Sequence, residues 1–203
     1  MTTHPLDSLT ADEINKAVDL YRAHDESDEN TLFINVTLVE PSKESVRSYK
    51  EGEEFDRSVK IIGVDSNPDG GFVASIDLKK EQVTALERLP NEAQAAYSFA
   101  EVGLATVLTK QNKEYQDALK KRDVTNLDLV QIDPWPAGGV VHESIKPGHR
   151  AMKTISFLKE NETDNAYAKP IQGVISHVDL TLKEVTCVED FGVVPVPKAH
   201  ARY

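Results

Sequence analysis

The chain has 203 residues, 39% of them hydrophobic and 28% charged, a balance within the range of folded domains and long enough for one large or two small cores. A formal net charge of −11, with no long run of Lys or Arg, removes nucleic acid from the expected partners. No stretch approaches the ~18 consecutive apolar residues of a membrane span, and MTTHPLDSLTADE lacks the basic and apolar regions of a secretory signal; a cytoplasmic protein with no membrane partner is expected. The one cysteine, Cys187, lies in strand-like KEVTCVED and reads as a core thiol. Acid is concentrated early, with a net charge of −7 over residues 1–60, and reads as a solvated face.

In chain order, Leu9-Thr10-Ala11-Asp12-Glu13-Ile14 predicts a helix starting near Ala11. Thr10 and Glu13 have capping-box spacing, and Leu9 can staple onto Ile14. Ile14, Ala17, Val18 and Tyr21 continue one apolar stripe, and the acidic stretch Asp25 to Asn30 ends it. LFINVTLVE alternates as a strand. Arg57 to Val64 and Gly71 to Leu78 read as a hairpin closed by Ser66-Asn67-Pro68-Asp69-Gly70, and Val83 to Arg88 as a further strand. After Leu89-Pro90-Asn91 the period becomes helical, over Glu92 to Leu108 and Lys113 to Arg122. Asp133-Pro134-Trp135-Pro136-Ala137-Gly138-Gly139 suits neither helix nor central strand and reads as an ordered loop. Met152 to Leu158, Ile171 to Asp179 and Glu184 to Glu189 are the last strands.

The second half repeats the first. IDLKKEQVTALE (Ile76 to Glu87) aligns with VDLTLKEVTCVE (Val178 to Glu189) at an offset of 102 residues, with Asp, Leu, Val, Thr and Glu matching in register. Two α+β domains are expected, 1–90 and 91–203, each a curved antiparallel sheet wrapped on a helix. The alternative is one domain with a chance similarity.

None of the six histidines stands in H-x-H or H-E-x-x-H spacing. His142 and His149 flank the Gly-rich loop and could converge, but loop histidines read as solvated side chains. No G-x-S-x-G elbow or phosphate-cradling loop is present, and the carboxylates read as solubilising. No catalytic residue and no metal ligand is therefore expected. Trp135, the only tryptophan, is either a core plug or an aromatic wall for a ligand passage.

Six segments in order resemble the amino-terminal region of copper amine oxidases, the quinone-cofactor enzymes that oxidise primary amines. HPLDSLTADEI looks like the opening of the first small domain and VASIDLKKEQV like its closing strands. YQDALKKRDV, Asp133-Pro134-Trp135 with Ala137-Gly138, DNAYAKPIQG and VDLTLKEVTCVEDFGVVPVP look like successive landmarks of the second. Pro136 and Gln172 depart from the family, which often has Ser and an acid there.

The resemblance, from His4 to about Pro197, implies two consecutive cystatin-like domains that precede a large β-sandwich catalytic domain absent from these residues. The family's quinone-forming Asn-Tyr-Asp/Glu motif and copper-binding H-x-H pair do not occur here, so copper and topaquinone are expected in a partner catalytic chain. Asp133, Pro134, Trp135 and Tyr167 carry over as residues lining the substrate channel. The expected role is a non-catalytic small subunit, or N-terminal portion, of a primary-amine oxidase that turns a primary amine into aldehyde, ammonia and hydrogen peroxide. It would dock on the catalytic subunit as a hetero-oligomer. A start at Met1 and a stop after Pro195-Val196-Pro197 suit a separate polypeptide, and an excised fragment would look the same. The rival readings are a stand-alone cystatin-like protein-binding module and, last, a self-sufficient enzyme using carboxylates with His142 or His149.

Overall fold

The computed structural model describes residues 4–66, 70–90 and 93–197. It divides into two units, Met1–Ala96 and Tyr97–Tyr203, so the division falls beyond the 90/91 boundary expected from the sequence. Each unit carries one four-stranded antiparallel sheet in which every strand pairs with its sequence neighbours. This is the expected α+β architecture. No helix among the described residues is long and apolar enough to cross a membrane.

In the first unit, α1 spans Ala11–Arg22 and begins with the predicted capping box, the Thr10 side chain accepting from the Glu13 amide while Glu13 accepts from the Thr10 amide. The sheet is β1 (Leu32–Val39), β2 (Ser58–Val64), β3 (Gly71–Asp77) and β4 (Gln82–Arg88), in that order. Val59 and Ile61 of β2 and Phe72, Ala74 and Ile76 of β3 alternate onto the helix side. There Tyr21 stacks on Phe72 with ring centroids 4.5 Å apart. A short helix not foreseen from the sequence, α2 (Lys43–Ser48), is capped by Ser42 and buries none of its residues. It lacks the apolar stripe that would announce it. Of the hairpin turn expected at Ser66 to Gly70, residues 67–69 lie outside the described residues.

The second unit begins with two helices, α3 (Phe99–Gln111) and α4 (Lys113–Lys120). The first starts at Phe99 because Ser98 and Glu101 form a second capping box, and residues 93–98 before it belong to neither helix nor strand. The longer helix expected from Glu92 is corrected accordingly; Glu92 itself lies outside the described residues. The sheet is β5 (Val130–Pro136), β6 (Ala151–Leu158), β7 (Pro170–Asp179) and β8 (Glu184–Asp190). Its helix side holds Val130, Ile132, Met152, Val174 and Val178. Thr109 meets Thr154 at 3.3 Å and Tyr115 Oη meets Ser156 Oγ at 2.7 Å across this layer.

The Asp133 to Pro136 segment is strand, not loop. It can be strand because β5 is an edge, paired only with β6, so the nitrogens of Pro134 and Pro136 need no ladder partner.

Buried Arg122, just past α4, donates to the carbonyls of Ala118, Gln172, Gly173 and Gly192 and to Asp190 Oδ1 at 2.8 Å. It ties a helix end to the last two strands. Arg122 and Lys121 together hold the Asp190 carboxyl far below its usual range.

Candidate functional site

Period-two alternation sorts β5 and β6 into two sets. One faces the helices; the other, which includes Asp133, Trp135, Lys153, Ile155 and Phe157, faces away from them. On that outer face Asp133 is the common acceptor. Trp135 Nε1 donates to Asp133 Oδ2 at 3.1 Å, and Tyr167 Oη approaches the same oxygen at 3.5 Å. Asn165 caps the single helical turn Ala166–Ala168 that presents Tyr167, accepting from the Tyr167 amide. Phe157 supports the Tyr167 ring edge-on, with centroids 4.8 Å apart.

Trp135 and Tyr167 are nonetheless 54% and 56% exposed. Within its own unit Trp135 is no core plug. Asp133, Trp135 and Tyr167 thus come together, with Pro134 holding the backbone extended between the first two.

The cross-strand register continues this face. Trp135 pairs with Lys153, Lys153 with His177, and His177 with Cys187, forming one row across the sheet. At its far end His177 Nε2 lies 2.7 Å from Glu189 Oε2. The His142 ring comes down from the β5–β6 connection to 4.4 Å from the His177 ring, centroid to centroid. His142 therefore meets His177 and not His149. His149 Nδ1 is 2.6 Å from Oδ2 of buried Asp179. Cys187 is half-buried; burial and then the Glu189, Glu114 and Glu143 carboxylates push its thiol above the ordinary range, the opposite of what a nucleophile needs.

Sequence reasoning missed His177, Glu189 and Phe157. The alternation of β7 and β8 was a signal that His177, Cys187 and Glu189 share a face, but nothing local announces that His142 reaches them.

Two family descriptions match the chain: "Copper amine oxidase, N2 domain" over residues 4–69 and "Copper amine oxidase, N3 domain" over residues 100–203. The chain belongs to the copper amine oxidase family. The primary amine oxidase of Arthrobacter sp. (strain P1) is 32% identical over 201 residues, 99% of this chain and 30% of that protein. The primary amine oxidase of Klebsiella aerogenes is 27% identical over 198 residues, 96% of this chain and 26% of that protein. A crystal structure of a copper-containing benzylamine oxidase from Hansenula polymorpha shares the fold with a TM-score of 0.74 at 15% identity, covering 92% of this chain and 30% of the other. This copper amine oxidase chain spans about 30% of the length of the curated relatives it matches, and it corresponds to their amino-terminal portion.

The motifs that supply the family's copper and quinone are absent from the chain. Among the described residues the one group of donors close enough for a single ion is His142, His177 and Glu189, two histidines from separate elements and a carboxylate, with no H-x-H pair. No tyrosine of the chain stands between an Asn and an acid.

Proposed function

We propose that this chain is the non-catalytic N-terminal part, or a separate small subunit, of a copper- and quinone-dependent primary-amine oxidase. It docks on the catalytic region, which carries the copper, the quinone and the oxidative deamination, and it forms part of the wall of the substrate entrance. The observation that carries this reading is the convergence of Trp135 and Tyr167 on Asp133. Two large rings stand half-exposed, yet each is oriented by a hydrogen bond or a ring contact rather than by core packing. A passage wall needs that combination: apolar area offered to a passing amine, in a geometry fixed before it arrives.

The face around them supports docking. Phe157, Ile155 and Ile175 are only half-buried, and about 70% of the Arthrobacter relative's own length lies outside the matched part and is available to cover such a surface. The test is co-expression with a catalytic region lacking these two domains, followed by size-exclusion chromatography. A complex that persists at micromolar concentration is expected. Separate elution would remove the subunit reading and leave the stand-alone binding module.

A further inference from the structure

We propose that His142, His177 and Glu189 form a binding site for one divalent transition ion of the zinc class, which clips the β5–β6 connection onto the outer face of the second sheet. The three donor atoms all lie within 4.8 Å of one another. Donors held by one zinc at ~2.0–2.2 Å stand about 3.4 Å apart at the tetrahedral angle, so small side-chain rotations close the site. His177 Nε2 and Glu189 Oε2, at 2.7 Å, are already closer than that. An ion placed between them replaces the contact they now share.

The ligand types select the ion. Two imidazoles and one carboxylate suit Zn²⁺, Cu²⁺ or Ni²⁺, whereas Mg²⁺ and Ca²⁺ require a mostly oxygen shell. Three protein ligands leave a fourth position for water.

The next layer of residues orients His142. Its Nδ1 is 2.8 Å from Ser144 Oγ, which is 2.8 Å from Thr186 Oγ1, and Thr186 in turn donates to the His177 carbonyl at 3.3 Å. With a metal on Nε2, Nδ1 carries the ring proton and donates it to Ser144 Oγ, in place of the contact it now accepts from the Ser144 amide at 3.1 Å, and Ser144 donates to Thr186. That series also joins the loop to the strand holding the second ligand. Local charge favours a cation through Glu189 and the neighbouring Glu143, within a chain of net charge −11. Lys153, opposite His177 in the register, is the cation that opposes it.

No sequential motif announces the site, because its ligands come from a loop and two strands. The expectation that the chain holds no metal rested on sequential motifs alone.

The experiment is isothermal titration of the full 203-residue chain with ZnCl₂ in excess Mg²⁺, repeated on variants and paired with thermal melts. One equivalent of zinc is expected to bind and to raise the melting temperature. His142→Asn, His177→Asn and Glu189→Gln are each expected to weaken binding at least tenfold, His149→Asn to leave it unchanged, and Lys153→Met to tighten it. His142 sits in a connection outside the core, so its variant keeps the test informative if a strand variant misfolds. The absence of binding at 100-fold excess zinc, or binding that His142→Asn leaves unaltered, overturns the proposal.

Discussion

Arg57 and Arg150 occupy the same post in the two halves of the chain. Each stands immediately before the second strand of its sheet and forks onto the glutamate of its helix's capping box. Nε donates to Oε1 and Nη2 to Oε2, at 2.8 and 3.1 Å for Arg57 with Glu13 and at 2.6 and 3.1 Å for Arg150 with Glu101. The carbonyl of each accepts from a residue after the third strand, Leu78 in one half and Leu180 in the other. Those two leucines are separated by the same 102 residues as the sequence repeat.

Removing the carboxylate of such a pair takes from the arginine its charged partner. Glu101→Gln leaves the Arg150 guanidinium without its carboxylate and is expected to cost about 3 kcal/mol, toward the lower end for a broken buried pair. Glu13→Gln costs less, because its side chain is 19% exposed against 9% for Glu101. Trp135 is the only tryptophan and belongs to the second unit. Urea unfolding followed by its fluorescence should therefore shift in Glu101→Gln and not in Glu13→Gln, while far-UV circular dichroism shifts in both.

The same pairs set the response to acid. Burial pushes both carboxyls up, but the hydrogen bonds from Arg57 or Arg150 and from the capping amides outweigh it, and both end below the ordinary glutamate range. A carboxyl lowered in the folded state binds fewer protons than in the unfolded chain, so its stabilisation is present above the unfolded pKa of about 4.3 and is lost as pH falls through the folded value. Wild-type urea midpoints should hold steady from pH 7 to 5 and decline below ~4.5. In the Glu101→Gln variant that acid slope should be shallower for the tryptophan-reported transition.

Gly173 has φ +78°, and a Cβ built there would lie 2.6 Å from the Gly192 carbonyl oxygen and 3.0 Å from Arg122 Nη2. Gly173→Ala is expected to destabilise the second unit by about 2 kcal/mol or more, combining left-handed backbone strain of ~1–2 kcal/mol with displacement of a carbonyl that Arg122 holds. Gly138, at φ +62° with nothing within 4 Å, isolates the strain alone. Its alanine variant should lose only that part, and chemical denaturation of the two variants side by side measures the difference.

Trp135→Ala separates wall from core. A buried tryptophan truncated to alanine costs ~3–5 kcal/mol of stability, whereas a side chain 54% exposed should cost the isolated chain under about 1 kcal/mol. In the assembled oxidase the substitution is expected to raise KM for bulky aryl amines by the equivalent of ~1–3 kcal/mol and to leave small amines and kcat nearly unchanged. Equal losses on both amines together with a depressed melt would assign the residue to packing.

The sequence made the repeating skeleton readable wherever a signal was local. Thr10 with Glu13 located a helix start to the residue, and the matched strand–turn–strand segments marked the doubling. Ser98 and Glu101 carried the same signal for α3, but the Ala- and Glu-rich stretch ahead of them has helical composition and drew the expected start to Glu92. The Asp133 segment was misread because two prolines argue against a strand in general, and only the topology shows that this strand is an edge. Asp133 and Tyr167 follow from the resemblance, whereas Trp135 also stands out as the only tryptophan. Tyr167 is presented by the turn capped by Asn165, and His142 reaches His177 from the β5–β6 connection, neither of which periodicity reveals.

The two prolines of β5 have an effect beyond the placing of Trp135. Ala137 N bonds to the Ala151 carbonyl, so at this end of the strand the odd-numbered amides point inward to β6 and the even-numbered positions point outward. Pro134 and Pro136 therefore remove two donors from the rim where a foreign strand would add. The opposite rim, β8, carries Glu184, Glu189 and Asp190, whose charges resist stacking against a copy of themselves. The second sheet is thus guarded against polymerising edge to edge by imide nitrogens on one side and by like-charge repulsion on the other, and a half-exposed aromatic face can persist in solution without seeding fibrils.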